Sequence, residues 1–268
     1  MAKTVMIASN KGGVAKSTTA VNLAADYARR GMKTLLVDMD PQCSLNDYLG
    51  ISIDSKASSV ISALLNSTAG LPIYQVSQNL DISPCSEYGN NAEDMLHDYP
   101  DKFFRLRVAI DAVRNSYDRI VIDTPPYLGI LTTNALFASD YLLMPMEPTL
   151  AALKGIEKLV SLQNETRSYG GHITAIGVVL TKFDRLTISR EVAEMLEKRD
   201  APGAGGWIRY IFRTRIRLYK VYRESACVGK DIFSYAPDSN AVLDSAALTD
   251  EIEERIPICD QWNNRRNV

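Results

Sequence analysis

The residues with the clearest chemical meaning lie close to the amino terminus, where Gly12 and Gly13 precede Lys16 and Ser17. Glycines let the backbone curl so that successive N–H groups form an anion-binding nest. A lysine can reach the outer phosphates of a nucleotide, and a serine hydroxyl is a Mg²⁺ ligand. The segment follows an apolar run and precedes a helical pattern, as a phosphate-binding loop requires. We therefore predict such a loop, with Thr18 near the α-phosphate, over the alternative of an ordinary Gly-rich turn.

This loop departs from the common pattern G-x-x-x-x-G-K-[ST] at two positions and carries an additional lysine. Asn10 replaces the first glycine, Ala15 replaces the last, and Lys11 is an additional lysine. A Cβ at position 15 suits a helical φ and not a strongly positive one. We expect the loop to form, slightly tighter than usual.

Aspartates follow two of the apolar runs. Asp38 and Asp40 come after Thr34 to Val37, and Asp123 follows Ile120 to Ile122. In open parallel sheets, ligands bind at the carboxyl ends of the strands. Asp123 therefore resembles the Walker B aspartate, which holds Mg²⁺ through water. The alternative is that these aspartates only cap strand ends.

The elements that must hold these residues alternate between short apolar runs and longer helical patterns. This order predicts an α/β fold with a doubly wound, mostly parallel sheet and helices on both faces. We expect one domain over residues 1–256 and a loose tail over 257–268. The predicted strands are Val5–Ala8, Thr34–Val37, Ile120–Ile122, Tyr141–Met144 and Ile173–Leu180, and the predicted helices are Ser17–Arg30, Phe103–Asn115, Ala151–Tyr169 and Thr187–Arg199.

The spacing K-G-G-x-x-K-[ST] is the deviant Walker A motif, and with it the chain resembles the ParA/MinD group of P-loop ATPases. The stretch from Asp38 to Gln42 matches the D-x-D-P-Q motif of ParA-type proteins. The resemblance extends from Lys3 to about Ile256. It implies a P-loop ATPase that binds ATP and Mg²⁺ and hydrolyses ATP slowly unless a partner stimulates it.

The resemblance also implies roles for individual residues. Asp40 orients the attacking water and belongs to the metal site with Ser17 and Asp123. Lys11 reaches the nucleotide of a second protomer, which implies an ATP-dependent homodimer; the alternative is a solvated loop lysine. Residues 124–129 act as a segment that senses the γ-phosphate. The expected catalytic residues are Lys11, Lys16 and Asp40, and the expected nucleotide-binding residues are Lys11, Gly12, Gly13, Val14, Ala15, Lys16, Ser17 and Thr18.

A basic strip interleaved with aromatic residues covers positions 209–223, and an acidic stretch follows near position 250. Such a strip can neutralise phosphates and bind DNA without reading its sequence. The family carries DNA-binding arginines in this region, although Arg217 occupies a position that is usually proline there. The alternative is that the basic residues are simply exposed to solvent and the aromatic residues belong to the core. The expected DNA-binding residues are Arg213, Arg215, Arg217, Lys220 and Arg223.

Composition narrows the function further. The chain has 268 residues, and 46% of them are hydrophobic, which excludes general disorder. Its formal charge of -2 gives no overall electrostatic attraction to a polyanion such as DNA. The four cysteines form no C-x-x-C pair, which argues against a disulfide framework or a zinc site and suits a reducing cytosol.

The leading hypothesis is a DNA-partitioning ATPase of plasmids or chromosomes, cytoplasmic and nucleoid-associated. Its ATP-bound dimer would hold non-specific DNA until a ParB-like centromere-binding partner stimulates hydrolysis. The alternative is a MinD-like ATPase that positions cargo at a membrane. We expect no membrane partner, because the C-terminal stretch is acidic and contains the helix breaker Pro257. The spacing of the cysteines argues against a metal-cluster carrier, and intact Lys11, Lys16 and Asp40 argue against a regulator unable to hydrolyse ATP.

Overall fold

The computed structural model describes residues 1–52, 58–66, 70–86, 91–184, 186–200 and 210–266. Within these ranges the chain forms one eight-stranded sheet in the order β3-β4-β2-β5-β1-β6-β7-β8. All neighbouring strands are parallel except β3, which runs antiparallel to β4. The strands are β1 (Lys3–Ile7), β2 (Thr34–Asp38), β3 (Tyr74–Ser77), β4 (Leu80–Ser83), β5 (Arg119–Asp123), β6 (Tyr141–Met146), β7 (Thr174–Phe183) and β8 (Ile211–Arg217).

Helices cover both faces of this sheet, which confirms the predicted fold class. Side chains alternate along β1: Val5 and Ile7 enter one core, and Met6 enters the other. The described helices are α1 (Lys16–Arg29), α2 (Ser44–Tyr48), α3 (Val60–Leu65), α4 (Ala92–His97), α5 (Arg105–Val113), α6 (Ile130–Ala138), α7 (Leu150–Ser168), α8 (Thr187–Asp200), α9 (Val221–Cys227), α10 (Ile232–Tyr235) and α11 (Asn240–Arg266). Helices α1 and α11 pack on the first core, and α5 to α8 pack on the second.

The five predicted strands are present, with small shifts at their ends. Helix α1 ends at Arg29, and Gly31 has a φ of 85°, as expected of a glycine just beyond a helix. Strands β3, β4 and β8 were not predicted. The β3–β4 hairpin is short, and it lies in a stretch rich in Ser, Asn and Gly, whose composition resembles a loop.

Helix α11 continues through Pro257 to Arg266, where we expected a loose tail. Proline in a helix interior is costly, but tertiary packing opposes that cost here. Cys259 is fully buried, Trp262 packs against the core, and Asp260 accepts a hydrogen bond from Lys3 Nζ at 2.9 Å. The break expected at Pro257 is therefore wrong, while the domain limit at residue 256 stays a prediction. In the ranges that the structure describes, no helix combines the length and apolarity needed to cross a bilayer.

Candidate active site

The predicted phosphate loop joins β1 to α1 at the carboxyl edge of the sheet. Gly13 has a φ of 74°, which favours glycine. The Thr181 hydroxyl at the end of β7 donates to the carbonyl of Val14 at 2.9 Å and fixes the loop to the sheet. Helix α1 begins at Lys16 with no side-chain cap. Its first amides are therefore available to phosphate oxygens.

Ala15 adopts a left-handed conformation, with φ 63° and ψ 32°. We expected a helical φ because of the Cβ, and that expectation is wrong. The loop must reverse direction before α1, and an alternation of left- and right-handed residues is what makes a nest of N–H groups. The strain is about 1 kcal/mol for a non-glycine residue, and Thr19 offsets part of it by donating its hydroxyl to the Ala15 carbonyl at 2.7 Å.

Strands β1, β2 and β5 bring the predicted lysine and aspartates together. Asp38 and Asp123 are register partners at the ends of β2 and β5. Burial lowers the pKa of Lys16, and the nearby Asp123 and Asp40 partly oppose that shift. Burial also raises the pKa of Asp40, against the effects of the Gln42 amide and Lys16. The site thus gathers several carboxylates around one buried lysine.

The charge of the aspartates at the two strand ends is only partly compensated by their neighbours. Burial raises the pKa of Asp38 well above its usual range, and the neighbouring Asp123 adds to this effect. Burial raises the pKa of Asp123 to about 7, although Ser17 and Lys16 act in the opposite direction. Both Asp123 oxygens are buried and accept no hydrogen bond of normal geometry from a described residue. These observations fit a divalent cation between Asp123 and Ser17, with Asp40 beside it.

A cavity of about 330 Å³ opens beside the phosphate loop and is large enough for a nucleotide. Asp40 and the loop form one wall. Residues at the end of β8 and the start of α9 also line the cavity. The lining residues other than Asp40 are Gly12, Gly13, Ala15, Lys16, Ser17, Thr18, Gln42, Ser44, Tyr48, Pro126, Lys182, Ile216, Arg217, Leu218, Tyr219, Tyr222 and Arg223.

Lys11 does not line this cavity. Its Nζ lies 3.1 Å from Oε2 of Glu147, in the segment between β6 and α7, and about a third of each side chain is exposed. Its position outside its own cavity suits a lysine that acts elsewhere, and its role in a dimer stays a prediction.

The structure pairs two of the predicted DNA-binding arginines with acidic residues. Arg217 lines the cavity and forms an ion pair with Asp244 of α11 at 2.5 Å. Arg213 is largely exposed and pairs with Glu251 and Glu254. The acidic residues of α11 therefore neutralise part of the strip, because the strand and the helix pack together. Arg209, at the start of the strip, lies outside the described residues.

The remaining predicted cations lie at the carboxyl end of β8 and beyond it. Lys220 is exposed, and no ion pair joins it to an acid among the residues that the structure describes. Arg223 is exposed and also lines the cavity. Arg215 lies within β8 and is half-buried. Four of the five predicted DNA-binding residues, all except Arg215, are thus exposed, and two of the five, Arg217 and Arg223, border the cavity.

Sequence reasoning noted Lys182 only as part of the stretch from Leu180 to Asp184, which resembles the strand end near the adenine in the family, and it missed Tyr48 as a cavity residue. Lys182 has a φ of 49°, which is rare for lysine, and its Nζ lies 4.0 Å from where a Cβ on Gly13 would be. The Tyr48 hydroxyl is 3.0 Å from that of Thr18. The position of Lys182 at the carboxyl end of a predicted strand was the available signal, whereas nothing in the sequence pointed to Tyr48.

Two cysteines that are distant in sequence meet beside the aspartates. A hydrogen bond with Cys43, burial and Asp38 together raise the pKa of the Cys85 thiol. This thiol therefore stays neutral next to the acidic cluster. The absence of a C-x-x-C motif could not reveal such a contact.

Comparison with known proteins is consistent with this site. The family model described as an AAA domain matches residues 2–170. The chromosome partitioning protein ParA of Myxococcus xanthus (strain DK1622) is 33% identical over 258 residues, covering 94% of this chain and 88% of that protein. The sporulation initiation inhibitor protein Soj of Bacillus subtilis (strain 168) is 35% identical over 248 residues, covering 89% of this chain and 93% of that protein.

A solved structure with bound ligands is also similar to this fold. Cobyrinic acid a,c-diamide synthase from Mycobacterium smegmatis, with a bound ATP analogue and magnesium, superposes with a TM-score of 0.76 at 25% identity. The similarity covers 93% of each chain.

Proposed function

Because this chain belongs to the family of ParA-type partitioning ATPases, we propose that it moves or segregates DNA, of a plasmid or a chromosome, in the cytoplasm and at the nucleoid. The chain is an ATPase, and its cofactors are ATP and Mg²⁺. The phosphate loop, the buried Lys16 and the carboxylates Asp40 and Asp123 supply the parts that phosphoryl transfer needs.

In the proposed cycle, ATP closes a homodimer in which Lys11 reaches the partner's nucleotide. The position of Lys11 outside its own cavity, held by Glu147, supports this role. An additional cation at the γ-phosphate would stabilise charge that develops during transfer. The pairing with Glu147 must break for the lysine to cross, so dimer closure and loss of this ion pair are coupled.

The proposed dimer holds non-specific DNA through Arg213, Arg215, Arg217, Lys220 and Arg223. A ParB-like centromere-binding partner then stimulates hydrolysis and releases the dimer. Such a cycle requires ATP to favour the DNA-binding state over the free state.

One observation carries this proposal: the segment from Ile216 to Arg223 borders the nucleotide cavity and also contains proposed DNA-binding cations. A nucleotide that contacts this segment can change its position, and the cations would move with it. The alternative of a membrane-positioning ATPase needs a terminal amphipathic helix available to lipid. Here Cys259 and Trp262 of α11 already pack against the core.

A DNA-binding assay with ADP, ATP and a slowly hydrolysed ATP analogue tests the proposal. We expect tight, sequence-independent and salt-sensitive binding with ATP or the analogue, and weak binding with ADP. Lys16→Ala is the control, because it should remove nucleotide binding and with it the ATP dependence. Equal DNA retention with ADP and ATP, or none in any state, would contradict the proposal.

A further inference from the structure

The segment from Thr124 to Gly129 connects the metal-site residue Asp123 to helix α6, and it is fixed at its first residue. The Thr124 hydroxyl donates to the carbonyl of Ile7 at 2.8 Å in the buried sheet. Pro126, in the middle of the segment, lines the nucleotide cavity. The position of Pro126 therefore depends on how the far end is held.

That far end has an unusual cap. Gly129 is the N-cap residue of α6, and it has no side chain to satisfy the first amides of the helix. Glu93 of α4 takes this role from a distant part of the chain: its Oε1 accepts a hydrogen bond from the Leu131 amide at 3.1 Å. A carboxylate at a helix N-terminus is also favoured by the helix dipole.

Glu93 packs directly against the space where a side chain at residue 129 would lie. A Cβ at this position would lie 2.2 Å from Oε1 and 2.3 Å from Oε2 of Glu93. The backbone at Gly129 is extended, with a φ of -113°, so conformation does not demand glycine here. A Cβ at residue 129 would instead displace the carboxylate, which ends a flexible side chain, from its place beside the Leu131 amide.

The same carboxylate acts on the middle of the segment. Burial, Glu93 and Asp40 together raise the pKa of Tyr127 to about 12, so Tyr127 lies within electrostatic range of both acids. The Tyr127 carbonyl accepts a hydrogen bond from the Thr132 hydroxyl at 2.6 Å, which ties the segment to the first turns of α6. Because Glu93 holds α6 and α6 holds Tyr127, Glu93 also restrains the position of residues 124–129.

We propose that Glu93 is a positioning residue for ATP hydrolysis, which holds the segment from Thr124 to Gly129 against the nucleotide by capping α6. Glu93 touches neither the lysine nor the aspartates of the site and acts through the segment. The proposal depends on the ATPase activity and not on DNA partitioning, so a failure of the DNA-binding assay leaves it intact.

The first test compares Glu93→Ala, Glu93→Gln and the control Asp94→Ala, which changes an exposed acid on the same turn of α4. We expect Glu93→Ala to lower kcat about tenfold, because small misplacements cost large factors in rate, with ADP affinity close to wild type. Glu93→Gln should restore most of the rate, since its amide oxygen can accept from the Leu131 amide. Asp94→Ala should behave like wild type.

The second test displaces the Glu93 carboxylate with a methyl group at residue 129. It keeps the proposal testable if Glu93→Ala fails to fold. Gly129→Ala should lower kcat to a similar extent by pushing the carboxylate away. In the Glu93→Ala background, the additional Gly129→Ala change should have little further effect, since the atoms it would meet are gone.

Two outcomes would overturn the proposal. One is a wild-type kcat in Glu93→Ala. The other is a Glu93→Ala variant in which ATP affinity, ADP affinity and melting temperature fall together and which Glu93→Gln does not rescue. That result would show that Glu93 only contributes to packing.

Discussion

Lys16 is the residue around which the acidic cluster is arranged. It is buried at the first position of α1, close to Asp40 and Asp123. A buried charge is tolerated only when opposite charges or hydrogen bonds compensate it. The carboxylates outnumber the lysine, however, so a bound Mg²⁺ would compensate negative charge that Lys16 leaves unpaired.

Asp40 offers the sharpest test of this arrangement. Its Oδ1 accepts the Gln42 amide at 3.1 Å, which holds the carboxylate at the cavity wall. We expect Asp40→Ala to keep ATP binding and to lower single-turnover hydrolysis about a hundredfold, the usual effect of losing a positioned general base.

Asp47→Ala is the matched control, since Asp47 is an exposed acid on the nearby helix α2. Its hydrolysis rate should equal that of wild type. A normal rate in Asp40→Ala would remove Asp40 from the hydrolytic step.

Acidic side chains of helix α11 accept hydrogen bonds from the backbone amides of the edge strand β8. Strand β8 is an edge strand, and exposed N–H groups on such a strand invite aggregation. Glu251 accepts the amides of Arg213 and Thr214 at 2.7 and 2.9 Å, and Asp244 accepts the amide of Arg217 at 3.0 Å. The acids of α11 therefore cap the edge, in addition to pairing with its arginines.

Glu251→Gln should destabilise the fold by about 2 kcal/mol, because buried donors lose a charged acceptor. Burial raises the pKa of Glu251, but hydrogen bonds from Tyr210 and Thr214 outweigh burial and leave the pKa below its usual value. Its stabilisation is therefore present above the ordinary glutamate pKa and is lost as pH falls through the lowered folded pKa.

Denaturant unfolding at neutral and acidic pH measures this effect. The difference between wild type and Glu251→Gln should shrink as pH falls. Glu254→Gln is the control, because Glu254 is largely exposed and should change stability little. Equal losses in the two variants would contradict a special role of Glu251.

Over the whole chain, a net charge of -2 hides an uneven distribution. Arg217 of β8 and Arg223 of α9 line the nucleotide cavity, and acids of α11 pair with Arg213 and Arg217. Of the proposed DNA-binding cations, Lys220 and Arg223 are exposed just beyond the carboxyl end of β8, and Arg223 also lines the cavity. Attraction to DNA should depend on this local surface and not on the molecule's total charge.

Lys220→Gln and Arg213→Gln separate the two kinds of cation. If Lys220 contacts phosphate, its removal should weaken ATP-dependent DNA binding for all sequences and reduce the slope of log affinity against log salt by about one per protomer. Arg213→Gln should have a smaller effect, because Glu251 and Glu254 already hold its guanidinium. A larger effect of Arg213→Gln would move the DNA site toward the middle of β8.

The phosphate loop, the aspartates and the five central strands were predictable because their signals are local. Gly13 and Lys16 lie on one short loop, and Asp38 and Asp123 directly end apolar runs. Strand β8 was not predictable in the same way, because its arginines alternate with few apolar residues and its edge is completed by a helix distant in sequence.

The amino-acid sequence alone determined the family, the ATPase chemistry and the edge of the sheet where that chemistry occurs, because strand–loop–helix order places glycines, lysines and carboxylates together. Only the tertiary structure decided which charges remain available. The pairing of Arg217 with Asp244, the cap that Glu93 places on α6 and the contact of Cys43 with Cys85 join residues distant in sequence. Such contacts depend on how helices pack on the sheet, and spacing along the chain does not encode them.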